Sequence, residues 1–399
     1  MDARVNAPNM VNRSKRLMAT LEGYLFIGPA TILIAVFGLF PIAYTVFVSL
    51  FRWRIIRGKF IGLANYAELF GSVGWLLVFL LSICIIAFGF VVLRSKRVRD
   101  RFRRPVLFRT SGAILLLVGG LAGLAFALPA LWTQGDSDVF DALRVTVYYS
   151  LGTVPVQLAG GLFLALFFER KFRGRQVYRV IYLLPYIVPT VASAAVFQVL
   201  FSLRPESFAN LIVRLFGGNA LGWLGESHGI FGMAFGWGKV GSDTNPVLSY
   251  WASWLRGPSL ALTAIMIYNY WVFIGYYALI YANGLANIPR QLYEAAEVDG
   301  ASRWTMFRSI TVPLLSPTTY FLTMLGIIGT FKSFNSVYVL RNNTIGNAVD
   351  TLSINIFYTF FSQSRFGYAA AASLFLFALV LGLTVVQRRL MEERVNYGE

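Results

Sequence analysis

Charge is scarce in this sequence. Only 13% of its 399 residues are Asp, Glu, Lys or Arg, while 57% are hydrophobic. A soluble domain carries about 25% charged residues, so the composition excludes a water-soluble globule as the overall class. The single cysteine, Cys84, excludes a disulfide within the chain. The single histidine, His228, leaves no cluster of side chains with metal-ligand spacing. No phosphate loop of the G-x-x-x-x-G-K-[ST] type is present. Gly238-Lys239 is followed by Val240 and has Met233 at the first glycine's place; Gly58-Lys59 has Trp53 there. The chain is therefore not expected to hydrolyse nucleotide by itself. No nucleophile–base constellation is found, and the apolar runs contain no paired carboxylates of the kind an ion-coupled secondary transporter, the main rival reading, would use. Catalytic residues, cofactors and metals are all expected to be none.

What is present is a series of long apolar runs. A run of about 18 or more apolar residues reads as a membrane-spanning helix, and the pattern predicts an all-α polytopic protein of about eight spans. These cover roughly 21–51, 75–93, 110–132, 143–168, 180–203, 258–284, 318–340 and 366–387. Pro185 and Pro189 interrupt the fifth, where neighbouring helices must satisfy the freed backbone carbonyls. A short acidic link with Asp136, Asp138 and Asp141 precedes the fourth, and a Gly- and Trp-rich loop, 204–257, follows the fifth. The first run is too long for a signal peptide and no A-x-A-like site follows it, so it is read as a retained span. The net charge of +17 sits at the ends of spans and reports orientation; nucleic acid is not an expected partner. Eight spans place both termini on one side. Of the 35 Lys and Arg, 23 fall on that side and 10 on the other. Basic residues stay inside, so both termini are expected in the cytoplasm of a cell-membrane, multi-pass protein. The basic segment 94–109 sets this topology and is expected to meet anionic membrane lipid. The first external loop, with Arg52, Arg54, Arg57 and Lys59, runs against the rule.

The longest polar stretch with helical pattern is 285–317. Pro289 can open a helix, because its missing N–H is an orphan there. Leu292, Ala295, Ala296 and Val298 give that helix a small apolar face, and Glu294, Glu297 and Asp299 an acidic one. Gly300 follows where a chain leaving a helix needs positive φ, and Ser302 is a candidate N-cap for a second short helix. Glu294-Ala295-Ala296, three residues, Gly300, nine residues, Ile310, then Val312-Pro313 resembles the EAA motif of ABC-importer membrane subunits; the family has Leu where Val312 stands. F-I-G-L-A-N-Y at 60–66, R-V-I-Y-L-L-P-Y-I-V-P at 179–189, Val337 to Leu340, and F-G-Y-A-A-A at 366–371 extend the resemblance. Together they look like the carbohydrate uptake class of MalF-like, binding-protein-dependent inner-membrane permeases.

That resemblance implies a type I ABC-importer permease fold and a sugar or oligosaccharide as cargo. It implies as partners a second permease subunit, two ATPase subunits and an external substrate-binding protein. Glu294, Ala295, Ala296 and Gly300 would form the helix that couples to the ATPase. The chain divides accordingly into a tail 1–20, a first span with an extra two-span hairpin over 21–140, a core permease region 141–390 containing the coupling loop 285–317, and a tail 391–399. Polar residues inside spans point to a substrate path, since hydrocarbon offers them no partners. Asn269 and Tyr276 are seven apart and share a helix face, which offers an amide and an aromatic surface to a sugar. By ungapped count they fall where maltose-type permeases place sugar contacts, and Gly326 and Thr330 fall at matching places in the next span. The bland alternative makes the aromatics an interfacial belt and Asn269 a tie to a neighbouring helix. Phe273 stands where that protein type has glycine. Lys332, the one full charge well inside a span, is read as structural or interfacial, with a contact to substrate as the alternative.

Overall fold

The computed structural model describes residues 8–94, 106–169, 173–236 and 245–391. Most of the basic segment 94–109, expected to meet lipid, and the tail 392–399 lie outside the described residues. Among the described residues six helices are long and apolar enough to cross a membrane, and two bent pairs bring the number to eight if each pair is one span. Residues Pro8 to Ala19, within the segment read as a tail, are helical and continuous with the first apolar run. The helix expected from 143 begins earlier, at Ser137, and draws Asp138 and Asp141 of the acidic link into its opening turns, where a helix N-terminus favours carboxylates.

Prolines shape the irregular helices. Two π turns, Ala35–Leu39 and Phe307–Thr311, each end just before a proline, Pro41 and Pro313. In each the closing N–H reaches five residues back, Phe40 to Ala35 and Val312 to Phe307. Widening the turn repositions carbonyls that the proline's missing N–H would leave unpaired. At Pro189 the chain breaks outright. The residue before a proline is driven to extended backbone, and Val188 sits at φ −65°, ψ 136°. The helices Arg175–Ile187 and Thr190–Leu200 consequently meet at 94°.

The segment 51–70 is ordered by its own sequence. Phe51–Trp53 and Arg57–Phe60 form a small antiparallel hairpin. Buried Asn65, of the F-I-G-L-A-N-Y run, donates to the carbonyls of Ser49 at 2.7 Å and Phe51 at 3.1 Å. Tyr66 adds a hydroxyl contact to Ser49 at 2.7 Å. This run thus fastens the hairpin to the end of the first span. Elsewhere Arg341 binds Asp350 through two nitrogens at 2.6 and 2.9 Å and Tyr358 at 2.8 Å. Burial pushes the Asp350 carboxyl above its usual range, and Arg341 acts against that shift. The helices Val73–Arg94 and Val106–Gln134 pair closely with each other.

At the centre, Leu260–Ala286 packs along Ser137–Glu169 and against Arg175–Ile187. Its buried face, including Ile265, Tyr268 and Val272, joins Tyr149, Ala194 and Val337 in the largest core cluster. Gly275 marks the closest approach: a Cβ there would lie 1.8 Å from the Tyr182 carbonyl oxygen. A side chain would push the broken span off the central helix, and small residues at such crossings are what let membrane helices touch. Gly275→Ala is therefore expected to destabilise the purified protein by on the order of 1–3 kcal/mol. Gly382→Ala, at a helical position with open space, should not. Thermal unfolding in detergent compares them, and equal melting temperatures would contradict this packing.

Candidate functional site

The site forms where two helices stop short. The break at Pro189 ends one. The other is in the seventh span, expected as one continuous helix over 318–340. Its helix, Ser316–Phe331, instead stops at Lys332, and a separate short helix, Asn335–Leu340, follows. Between these breaks and the central helix lies a cavity of about 390 Å³. Asn269, Tyr276, Gly326 and Thr330, the four residues singled out from sequence, all line it, and so do Phe273 and Lys332.

Asn269 is 5% exposed. Its amide nitrogen donates to Ser336 Oγ at 3.4 Å, a long contact, and Gln157 Nε2 donates to its backbone carbonyl at 3.2 Å. Tyr276 stacks on Tyr186, with ring centroids 4.4 Å apart and planes 14° from parallel. Phe273 packs edge-on against Tyr186, with ring centroids 5.7 Å apart. Stacked and edge-on rings at such distances hold one another in place, so an aromatic wall stands beside the amide. Gly326 is buried and lets its helix lie close to its neighbours: a Cβ there would lie 2.6 Å from the Tyr277 hydroxyl and 3.1 Å from Val154 methyls.

Thr330 differs from the other three. Its hydroxyl lies 2.9 Å from Ser150 Oγ and 2.9 Å from the Gly326 carbonyl. A hydroxyl has one hydrogen to donate, and here protein acceptors surround it. Thr330 thus ties two helices together at the cavity wall. Tyr149, Gln157, Tyr186, Ser333 and Ser336 also line the cavity and were not singled out from sequence. Tyr186, between Pro185 and Pro189, carried a readable signal, since a proline-broken span exposes its polar groups only toward a cavity. Ser333 and Ser336 depended on the helix break after Phe331, which no proline marks.

The loop 285–317, read from sequence as the coupling element, contributes no residue to the cavity lining. A helix runs Arg290–Val298 with Pro289 at its N-cap. Gly300 has φ +73°. The Gly300 N–H donates to the Glu297 carbonyl and the Ala301 N–H to that of Ala296, the paired closure that needs a left-handed residue after a helix. Ser302 accepts from the Thr305 N–H and caps the next helix. Tyr293 anchors the first helix to the body through Thr311, 2.9 Å away. Glu294 and Ala295 are exposed, Ala296 half-buried. Glu294 pairs with Arg290 at 3.1 Å on the open surface. Val298 and Trp304 stand 87% and 68% exposed beside them.

Residues 157–395 match the model of the family described as binding-protein-dependent transport system inner membrane component. The chain belongs to this family. It is 31% identical over 242 residues to the trehalose/maltose transport system permease protein MalF of Thermococcus litoralis, covering 61% of this chain and 71% of that protein. It is 26% identical over 378 residues to the lactose transport system permease protein LacF of Rhizobium radiobacter, covering 94% and 95%. It is 28% identical over 264 residues to the sn-glycerol-3-phosphate transport system permease protein UgpA of Rhizobium meliloti, covering 66% and 79%. A chain in the crystal structure of a bacterial ABC transporter that imports the acidic polysaccharide alginate shares the fold. Its TM-score is 0.51 at 19% identity over 75% of this chain and 99% of that one. The molecule is thus a membrane permease of the ABC-importer type, and the cavity is a cavity within a transport protein.

Thr330→Val keeps the shape and removes the hydroxyl. It is expected to cost about 0.5–1.5 kcal/mol of stability. In a double-mutant cycle with Ser150→Ala, the two losses should be less than additive. Strict additivity in thermal unfolding would contradict a shared hydrogen bond.

Proposed function

We propose that this permease carries a sugar or oligosaccharide through the cavity beside Asn269, in an ATP-driven importer. It would work with a second permease, two ATPase subunits and an external binding protein. The observation that carries this reading is the convergence of Asn269, Tyr276, Gly326 and Thr330 on one cavity at two helix breaks. A sugar presents hydroxyls around its rim and C–H surfaces on its faces. The Asn269 amide, joined by Gln157 and Ser336, suits the rim. The Tyr186–Tyr276–Phe273 wall suits the faces. The names of the relatives support the class: trehalose and maltose, lactose, and a glycerol phosphate. Among the described residues no Asp or Glu lines the cavity, which weighs against the ion-coupled alternative.

Energy would enter through the loop at 290–306. Closure of the ATPase dimer would draw the exposed face of Glu294, Ala295 and Val298 inward. The Tyr293–Thr311 contact and the π turn behind it would pass that movement to Ser316–Phe331, whose far end walls the cavity. The distribution of basic residues supports placing this loop and both termini in the cytoplasm. The extra helices Val73–Arg94 and Val106–Gln134 precede the region matched by the family model, and we read them as an addition to the core.

Two variants separate the cavity from the coupling loop. Asn269→Ala leaves sugar hydroxyls without a partner worth about 1–3 kcal/mol, and is expected to cut uptake while the complex still assembles. Gly300→Val places a β-branched residue at φ +73°, a cost on the order of 1–3 kcal/mol. It should weaken co-purification of the ATPase and lower transport far more than it lowers insertion into the membrane. Full uptake by an assembled Asn269→Ala complex would move the sugar path elsewhere. Full ATPase binding and transport by Gly300→Val would remove the loop from coupling.

A further inference from the structure

Among the described residues, one that lines the cavity carries a formal charge. This is Lys332, at the position where the helix Ser316–Phe331 ends. The rest of the polar lining is neutral: the amides of Gln157, Asn269 and Asn335, with serine, threonine and tyrosine hydroxyls. Among the described residues the acid–base pairs lie elsewhere, Asp141 with Arg144, Glu226 with His228, Asp350 with Arg341, Glu68 with Arg365 and Glu294 with Arg290. None of them involves Lys332. The side chain is exposed to the open cavity, so water can solvate its ammonium while the site is empty.

A cation is favoured at a helix C-terminus, and that explains why Lys332 is tolerated where it stands. It does not explain why its side chain lines the cavity. Walls of low dielectric strengthen the field of such a charge and draw in ions of opposite sign. A neutral cargo entering the cavity would strip water from the ammonium and give back only hydroxyl oxygens. An anionic cargo would give back a charge-assisted hydrogen bond, about twice as strong as a neutral one. We infer that the cargo carries an anionic group, a sugar carboxylate or a phosphoester, and that Lys332 is the specificity-determining residue that reads it. This inference rests on the cavity being the substrate path.

The complete importer, with its own binding protein and ATPase, is expressed in cells. The cells receive an equimolar mixture of uronate di- to tetrasaccharides, neutral oligosaccharides of the same lengths, and sn-glycerol 3-phosphate, and the accumulated species are identified by mass spectrometry. Wild type should accumulate anionic members over neutral ones; whether these are uronates or the phosphoester tells carboxylate from phosphate. Lys332→Gln should lower that uptake by about tenfold or more, as expected for loss of a hydrogen bond between two charged groups. Lys332→Arg should restore most of it, and the second permease should co-purify with both variants. The inference is overturned if wild type prefers neutral sugars or takes up none of the mixture. Unchanged anion uptake by Lys332→Gln, or loss of the second permease from that variant, overturns it equally. Asn269→Ala run alongside separates the two levels. If it alone abolishes uptake, only the anionic reading falls; if neither variant matters, the cavity is not the path.

Discussion

Everything in this permease follows from one constraint: inside hydrocarbon, every backbone N–H and C=O must find a partner within the protein. Unbroken helices meet it automatically. Broken ones meet it only where other protein groups, or water in a polar cavity, take over. Here two helices break, at Pro189 and at Lys332, and both breaks face the same cavity. The Tyr268 hydroxyl reaches the Thr190 carbonyl at 3.2 Å, just past the first break. The Ser333 and Ser336 hydroxyls, 3.2 Å apart, occupy the second. Polar backbone and polar side chains are thus gathered at one place.

The central helix Leu260–Ala286 holds that arrangement in register. Its Gly275 lets the backbone of the broken span lie directly on it, while Asn269 and Tyr276 on the same helix look into the cavity. Packing and the cavity-lining face are therefore two sides of one element. The loop 285–317 is linked to the cavity through one continuous path of chain. Tyr293 holds the helix Arg290–Val298 to Thr311, Thr311 sits in the π turn before Pro313, and a 62° bend then leads into Ser316–Phe331. A π turn beside a proline has fewer of the usual helical hydrogen bonds to break, which suits a joint.

Much of this was legible in the amino-acid sequence, for identifiable reasons. Span number follows from hydropathy, because the bilayer makes length and apolarity obligatory. The turn at Gly300 and the cap at Ser302 were readable because each rests on the local chemistry of one residue. Asn269 stood out because an amide in an apolar run needs a reason to be there. The break at Pro189 was readable as a kink, though not as a right-angle turn. The break after Phe331 was not readable, since no Gly or Pro marks it; it depends on Thr330 and Ser333 finding partners on another helix. The hairpin at 51–60 was missed because three- and four-residue strands leave almost no periodicity. The double role of Thr330, on the wall yet hydrogen-bonded to Ser150, is a tertiary fact that no local pattern carries.

The most direct test of the account is whether water reaches the second helix break. In a Cys84→Ser background, single cysteines are placed at Ser333 and Asn335 in the cavity, and at Leu383 on an exposed apolar face of the last helix. The complete importer in native membranes is then treated with a small, charged, water-soluble thiol reagent. Thiolates form only where water is present, so the account predicts rapid modification at 333 and 335, slowed by transported cargo, and none at 383. Failure of 333 and 335 to react, or reaction at all three at one rate, would contradict the claim that paired helix breaks open a polar cavity at membrane depth.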